Sequence, residues 1–275
     1  MTSSGYIAVI AMATLEGALV ALPRADALEP LRTLRSPAWA ALLPGSILAG
    51  TFLPLAMPSM ALGLVLMAGV ITPLLATVAI LEVVRGPRMA LLVLAFALAV
   101  IAALISGWAG QISASLLTAL GCLAVGVALA RLIPSRWFVV GVIGMCLVDV
   151  ALLGSGIGRS AAILMSSATA DVHGPIYSQV DIGRITTDYP DIVLAAVMGG
   201  FLAGRHNQLR AALLVTAIGT AYGLLLLPID HLLPATVPIG LALILLEWTA
   251  ARRAASHVAT RARTAVRASA LRSAG

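Results

Sequence analysis

The stretch Asp188–Gly200, DYPDIVLAAVMGG, runs two carboxylates straight into an apolar segment. A charged group near the middle of a membrane span costs roughly 2.5–3.5 kcal/mol on insertion scales, so an acid at the mouth of such a segment needs a reason. The rest of the chain establishes that the segment meets lipid. Of 275 residues, 61% are hydrophobic and only 10% are charged, against about 25% charged in a soluble domain. Mean hydropathy is +1.06. So little polar surface cannot cover a water-soluble body, and the apolar character continues to residue 248 without a soluble insert. The chain therefore reads as one membrane-embedded domain, 1–248, followed by a basic tail, 249–275.

A spanning helix needs roughly 20 mainly apolar residues. Nine runs approach or meet this: about 5–23, 37–57, 60–84, 89–108, 113–130, 137–157, 188–204, 210–228 and 231–248. The segments between them carry turn or charge signals, among them RADALEPLRTLRS, MPSM, RGPR, GWAGQIS, RLIPSR, RHNQLR and PID. The N-terminus, MTSSGYIAVIAMATLEGALVALPR, lacks the basic n-region of a signal peptide and reads as a retained first span with its N-terminus outside. All 17 basic residues are arginine. With the N-terminus outside, the inner loops hold Arg24, Arg32, Arg35, Arg85, Arg88, Arg131, Arg136, Arg205 and Arg210. The inner tail adds Arg252, Arg253, Arg261, Arg263, Arg267 and Arg272, leaving only Arg159 and Arg184 outside. This positive-inside bias supports nine spans and a cytoplasmic C-terminus in the plasma membrane. It also explains a pI near 10.3 without a nucleic-acid partner.

The longest loop, residues 158–187, is expected outside. Its segment HGPIYSQVDIGRITT alternates Ile, Tyr and Val as a strand does. GSGIG (Gly154–Gly158) lacks the strand–turn–helix context of a nucleotide loop. The spacings Gly200/Gly204 and Gly219/Gly223 suit internal helix packing. Cys122 and Cys146 lie in apolar runs and read as buried small residues. The four histidines lack metal-ligand spacing, so neither a metal nor an organic cofactor is expected.

Four acids sit in or near span interiors: Glu16, Glu82, Asp149 and Asp191. Glu82 stands one turn before Arg85 and is expected to pair with it. Glu16 is expected to make a structural hydrogen bond to another helix. Asp149 and Asp191 differ because their depths agree. Asp149 lies about eight residues, or ~12 Å, before the outer end of its span, and Asp191 roughly 5–8 Å inside the next. In antiparallel neighbours the two would face each other. Two acids in one low-dielectric site cannot both ionise cheaply, so the pair shares a proton. The ionised member can then deprotonate a water while the protonated one donates to an amide carbonyl. On the acids alone, hydrolysis and ion or proton transport both stay open. In the ninth run, HLLPATVPIG places Pro234 and Pro238 where they disrupt a helix. Broken backbone at membrane depth is tolerated only where protein or a wet cavity satisfies it.

Together these segments resemble the presenilin and signal peptide peptidase family of intramembrane aspartic proteases, over roughly residues 137–245. VDVALLG is similar to the Tyr-Asp segment of the family's sixth helix, which puts Asp149 at the first catalytic aspartate. DYPDIVLAAVMGG is similar to the Gly-x-Gly-Asp segment opening the seventh, which puts Asp191 at the second. LLPATVPIG is similar to the Pro-Ala-Leu motif of the ninth, at Pro234, Ala235 and Thr236. IGTAYGLLLLPIDHLLPATVPI looks like presenilin across the eighth-to-ninth junction. Val148, Asp188, Pro190 and Thr236 depart from the family residues at those positions, so this would be a divergent, prokaryotic-type member. The resemblance implies an all-α bundle of nine transmembrane helices, and an Asp149/Asp191 pair acting through an activated water. It implies substrate contacts at Tyr189, Pro190, Pro234, Ala235 and Thr236. The substrates would be transmembrane or signal-peptide-like segments, bound as a strand with IYSQVDIGRI as the pairing edge. Two other readings use the same residues. A prepilin-peptidase-like protease would have its acids at the cytoplasmic face, and an ion- or proton-coupled transporter would have no hydrolytic activity.

Overall fold

Apolar runs broken by Pro, Gly and Arg become helices that stop where those residues stand. The computed structural model describes residues 3–84, 86–105, 107–170, 172, 176–182, 185–205, 207–226, 236–249 and 252. The helices are α1 (Ser3–Ala21), α2 (Leu42–Ala56), α3 (Pro58–Val78), α4 (Arg88–Leu104), α5 (Trp108–Leu132) and α6 (Ser135–Gly154). After them come α7 (Ile157–Ala170), the strands β1 (Gln179–Ile182) and β2 (Ile185–Asp188), α8 (Tyr189–Leu202) and α9 (Gln208–Leu226). The last is α10, Thr236–Thr249. Prolines open α3 and α8 at their first turns, where no backbone donor is lost.

Five helical segments are long and apolar enough to cross a membrane: Pro37–Ala56, Pro58–Val83, Trp108–Leu132, Ser135–Gly154 and Gln208–Leu225. Four shorter apolar helices lie at Gly5–Ala21, Met89–Leu104, Tyr189–Leu202 and Thr236–Thr249. The helical membrane bundle expected from composition is what forms, with an apolar helix in each expected run. By length and composition, five helices among the described residues are candidate crossings, and the remaining four apolar helices are shorter. The outer faces carry large apolar side chains, including Val70, Leu74, Phe96, Leu147 and Leu213. An apolar exterior of that extent is suited to lipid. All four tryptophans, Trp39, Trp108, Trp137 and Trp248, stand at helix ends, where amphipathic rings mark a membrane interface.

The helix opened by DYPDIVLAAVMGG is the centre of the bundle. α8 has only 14 residues, about 21 Å of helix, and Ile192–Gly200 are all buried. A helix that is apolar on every side belongs inside other protein. It is held between α5 and α1, and two adjacent glycines make that possible. A Cβ added at Gly199 would stand 2.8 Å from Val20 Cα, and one at Gly200 would stand 2.9 Å from Val127 Cα. On the facing helix, a Cβ at Gly126 would meet the Val197 nitrogen at 2.7 Å. The α8 backbone therefore approaches both neighbours more closely than any larger residue permits. Gly219 and Gly223 likewise let α9 lie on α1, against Ala13 and Val9. Internal packing is thus what those glycine spacings serve.

The two ends of the bundle differ. At one end the Arg131 guanidinium, 3% exposed, donates from Nε to the Ala27 carbonyl at 2.8 Å and from Nη2 to Ala25 at 2.8 Å and Arg24 at 3.3 Å. Arg35 caps the Arg131 carbonyl at 2.9 Å, and Gln208 donates to the carbonyls of Val20, Ala21 and Pro23. Glu82 joins this end through Arg24 at 3.6 Å. Its expected partner Arg85 lies outside the described residues. At the opposite end sits the β1–β2 hairpin, antiparallel with Val180 opposite Thr187 and Asp181 opposite Thr186. The strand expected in the 158–187 loop is therefore this hairpin. A helix, α7, was not expected in that loop. It packs on α2, α3 and α6, burying Ala161 and Ala168.

Candidate functional site

The acids gather near the hairpin end. Asp149 lies on α6 five residues before that helix ends at Gly154, about 7.5 Å along it. Asp191 is the third residue of α8, with Asp188 at the N-cap. A carboxylate in the first turn of a helix is favoured by the positive end of the helix dipole. Asp149, Asp188 and Glu16 all lie within electrostatic reach of Asp191. Their helices touch through the stacked rings of Phe138 on α6 and Phe201 on α8, 4.2 Å between centroids, although each has its larger contacts elsewhere. α6 packs on α2 and α7, whereas α8 packs on α5 and α1. α10 packs against α6 beside Asp149.

α10 begins at Thr236, whose hydroxyl donates to Asp149 Oδ2 at 2.7 Å. The Thr236 backbone N–H is also directed at that carboxylate. Asp149 therefore sits on the N-terminus of α10, where unpaired N–H groups and the dipole favour an anion. One turn earlier on α6, Cys146 Sγ lies 3.5 Å from the Thr236 carbonyl. A Cβ at Gly240 would come within 2.8 Å of that sulfur. α10 is thus pressed against α6 over its first turn and a half. Pro238 falls at the third position of this helix, where it removes no intrahelical donor.

Among the expected site residues, Asp149 and Thr236 are in direct contact, and Asp191 is in electrostatic range. No hydrogen bond joins the two aspartates among the described residues. Tyr189 and Pro190 form the first two positions of α8. Tyr189 packs against the core, and its carbonyl receives the Cys122 thiol at 3.8 Å. Pro234 and Ala235 lie outside the described residues. The hydrogen bond expected of Glu16 is not seen among the described residues, although the side chain is buried on α1, 5% exposed. Sequence reasoning missed Cys146 and Tyr222, both in electrostatic range of Asp149. The i, i+3 spacing of Cys146 from Asp149 was the available signal.

The hairpin is anchored on one edge. Ser115 of α5 accepts from the Asp181 N–H at 2.9 Å and donates to the Asp181 carbonyl at 3.2 Å. Gln111 holds the Asp181 carboxylate at 2.9 Å, and Thr118 donates to the Tyr177 carbonyl. Because Asp181 spends both backbone groups on α5, its partner Thr186 turns its own away from β1, as alternate residues do in an antiparallel pair. The outer edge of β2 therefore carries the outward backbone groups of Thr186, for which no partner is seen among the described residues, next to Asp188 and the start of α8. Among the described residues no group of three or more His, Cys, Asp or Glu is arranged to hold a metal ion. Set against protein-family models, curated proteins and solved structures, the chain matches none.

Proposed function

We propose that this chain is an intramembrane aspartic endopeptidase that hydrolyses transmembrane or signal-peptide-like segments with Asp149, Asp191 and one activated water. The observation that carries this reading is the 2.7 Å hydrogen bond from Thr236 to Asp149, with Asp191 in electrostatic range of the same carboxylate. Three segments distant in sequence, each singled out by its resemblance to the presenilin and signal peptide peptidase family, supply the parts of one site. Nine crossings, an outside N-terminus, a cytoplasmic C-terminus and a plasma-membrane location belong to the same proposal. The chemistry requires no metal or organic cofactor and no nucleic-acid partner.

The mechanism follows from an unequal acid pair. The ionised aspartate takes a proton from water as that water attacks the scissile carbonyl carbon. The protonated aspartate donates to the carbonyl oxygen; on collapse of the tetrahedral intermediate it takes a hydroxyl proton back while the other aspartate passes its proton to the amide nitrogen, so the C–N bond breaks and acid and amine leave. Thr236 and the α10 N-terminus stabilise negative charge on Asp149, which suits it to the base role and leaves the proton with Asp191. A helical substrate hides its peptide bonds, so it must unwind first. The free edge of β2 offers the outward backbone groups of Thr186 for pairing with an unwound strand.

Sidedness weighs against the prepilin-peptidase reading. The acids lie at the end opposite the arginine cluster, which the positive-inside rule places in the cytoplasm. Transport is favoured by one observation, the third acid Glu16 deeper in the bundle. The test is cleavage of a reporter membrane segment by purified protein, wild type beside Asp149→Asn and Asp191→Asn. Product from wild type and none from either variant is expected. Wild-type-rate product from a variant would overturn the acid pair. Proton flux into vesicles without any product would favour transport.

A further inference from the structure

Four side chains of α5 fall on one face. Gln111, Ser115, Thr118 and Cys122 follow one another at steps of four, three and four residues, which confines them to an arc of about 60°. Each reaches out of its own helix. Gln111 holds the Asp181 carboxylate at 2.9 Å, and Thr118 donates to the Tyr177 carbonyl at 3.2 Å. Cys122 lies 3.8 Å from the Tyr189 carbonyl, at the first residue of α8 and two before Asp191. α5 is therefore a common frame for the hairpin and for the helix that carries the acid. Ser115 does more than its neighbours. Its hydroxyl accepts from the Asp181 N–H at 2.9 Å and donates to the Asp181 carbonyl at 3.2 Å, in a site where the residue is 2% exposed. Those are the two bonds that a residue of an adjacent strand would supply. Ser115 thus stands in for a third strand on the outer edge of β1. Across the hairpin from Asp181 is Thr186, which is exposed.

We propose that Ser115 is a positioning residue that fixes where the hairpin sits along α5, and through β2 selects which peptide bond of a substrate strand reaches the acids. The selection of a bond rests on the peptidase reading above; the anchoring of the hairpin does not. A two-stranded hairpin is marginal alone, so its place is set by what pins it. One strand residue advances about 3.4 Å, whereas a misplacement of about 1 Å already slows a reaction that depends on orientation. A slip of one residue turns every substrate side chain to the opposite face. A slip of two keeps the faces and is the one that a loosened hairpin admits.

The test uses purified full-length protein and two readouts, hydrogen–deuterium exchange of residues 177–182 and mass-spectrometric mapping of the bonds cut in a reporter membrane segment. Ser115→Ala should speed exchange of that segment about tenfold, the loss of about one hydrogen bond's worth of protection. It should also raise, about tenfold relative to the main product, the products cut two residues to either side of the wild-type bond. Less product cut at an unchanged bond is what a merely structural role gives and would overturn the selection, as would exchange that Ser115→Ala leaves at the wild-type rate. Where Ser115→Ala does not fold, Thr118→Val frees the Tyr177 carbonyl on the same face and carries the same two expectations. A wild type that cuts nothing, with exchange still faster in Ser115→Ala, removes the peptidase reading and the selection with it, and leaves Ser115 as an anchor.

Discussion

Arg131 and Asp191 are both ionisable groups inside an apolar bundle, and the fold treats them in opposite ways. Arg131 is fully engaged: three carbonyls of the 24–27 loop receive its N–H groups, and Arg35 closes over its own carbonyl. Among the described residues Asp191 has no ion-pair partner, and it lies within electrostatic reach of three further carboxylates. The arginine end ties loops together. The carboxylate end concentrates like charge that no structural need explains. A buried charge with satisfied geometry holds a fold together, whereas gathered carboxylates at a helix mouth are the feature from which we propose a site for chemistry.

Substitutions at the two ends should separate. The largest effect is expected from Asp191→Asn, a loss of cleavage of about 10³-fold with melting temperature unchanged or raised, read by reporter cleavage beside thermal unfolding. Arg131→Met should do the reverse. It strands three buried carbonyls and should cost about 3 kcal/mol of stability, while the surviving folded fraction keeps wild-type cleavage per molecule. If Arg131→Met lost activity without losing stability, the contrast between the ends would fail.

Smaller effects sharpen the site itself. Thr186→Pro removes an outward N–H without touching a β1–β2 bond and should lower kcat/KM about 30-fold, roughly 2 kcal/mol, if substrate pairs on that edge. Proline at Thr187, whose N–H faces β1, should instead destabilise the hairpin. Thr236→Val deletes the hydroxyl on Asp149 and should lower kcat about tenfold with KM unchanged. A change confined to KM would move Thr236 from the acid to substrate binding.

Much of this was legible in the sequence. Composition fixed the solvent, the breaks at Pro, Gly and Arg placed the helices, and residue alternation placed the hairpin. The hydrogen bond from Thr236 to Asp149 was not legible there, since the motif match makes Thr236 a substrate contact and not a partner of the acid. Other features were not legible, for physical reasons. α8 reads as a span because hydropathy cannot distinguish a lipid-facing helix from one enclosed by protein; the Gly199–Gly200 pair was the clue to enclosure. α7 escaped because it is short, 14 residues, and only moderately apolar, so a search for membrane-length runs passed over its clear helical periodicity. Glu82 was assigned to Arg85 because i, i+3 spacing is local, while Arg24 reaches it across the fold. The role of Ser115 depends on which segment lies against α5, which no local pattern encodes.

The most direct measurement is binding of an apolar peptide whose scissile carbonyl is replaced by a secondary hydroxyl, so that the hydroxyl occupies the place of the attacking water. Affinity is measured for wild type, Asp149→Asn, Asp191→Asn and the double variant. Two acids sharing one water predict that each single change weakens binding about 100-fold and that the double change adds little more, because both act on the same hydroxyl. Independent, additive losses, or binding untouched by either change, would contradict a shared site.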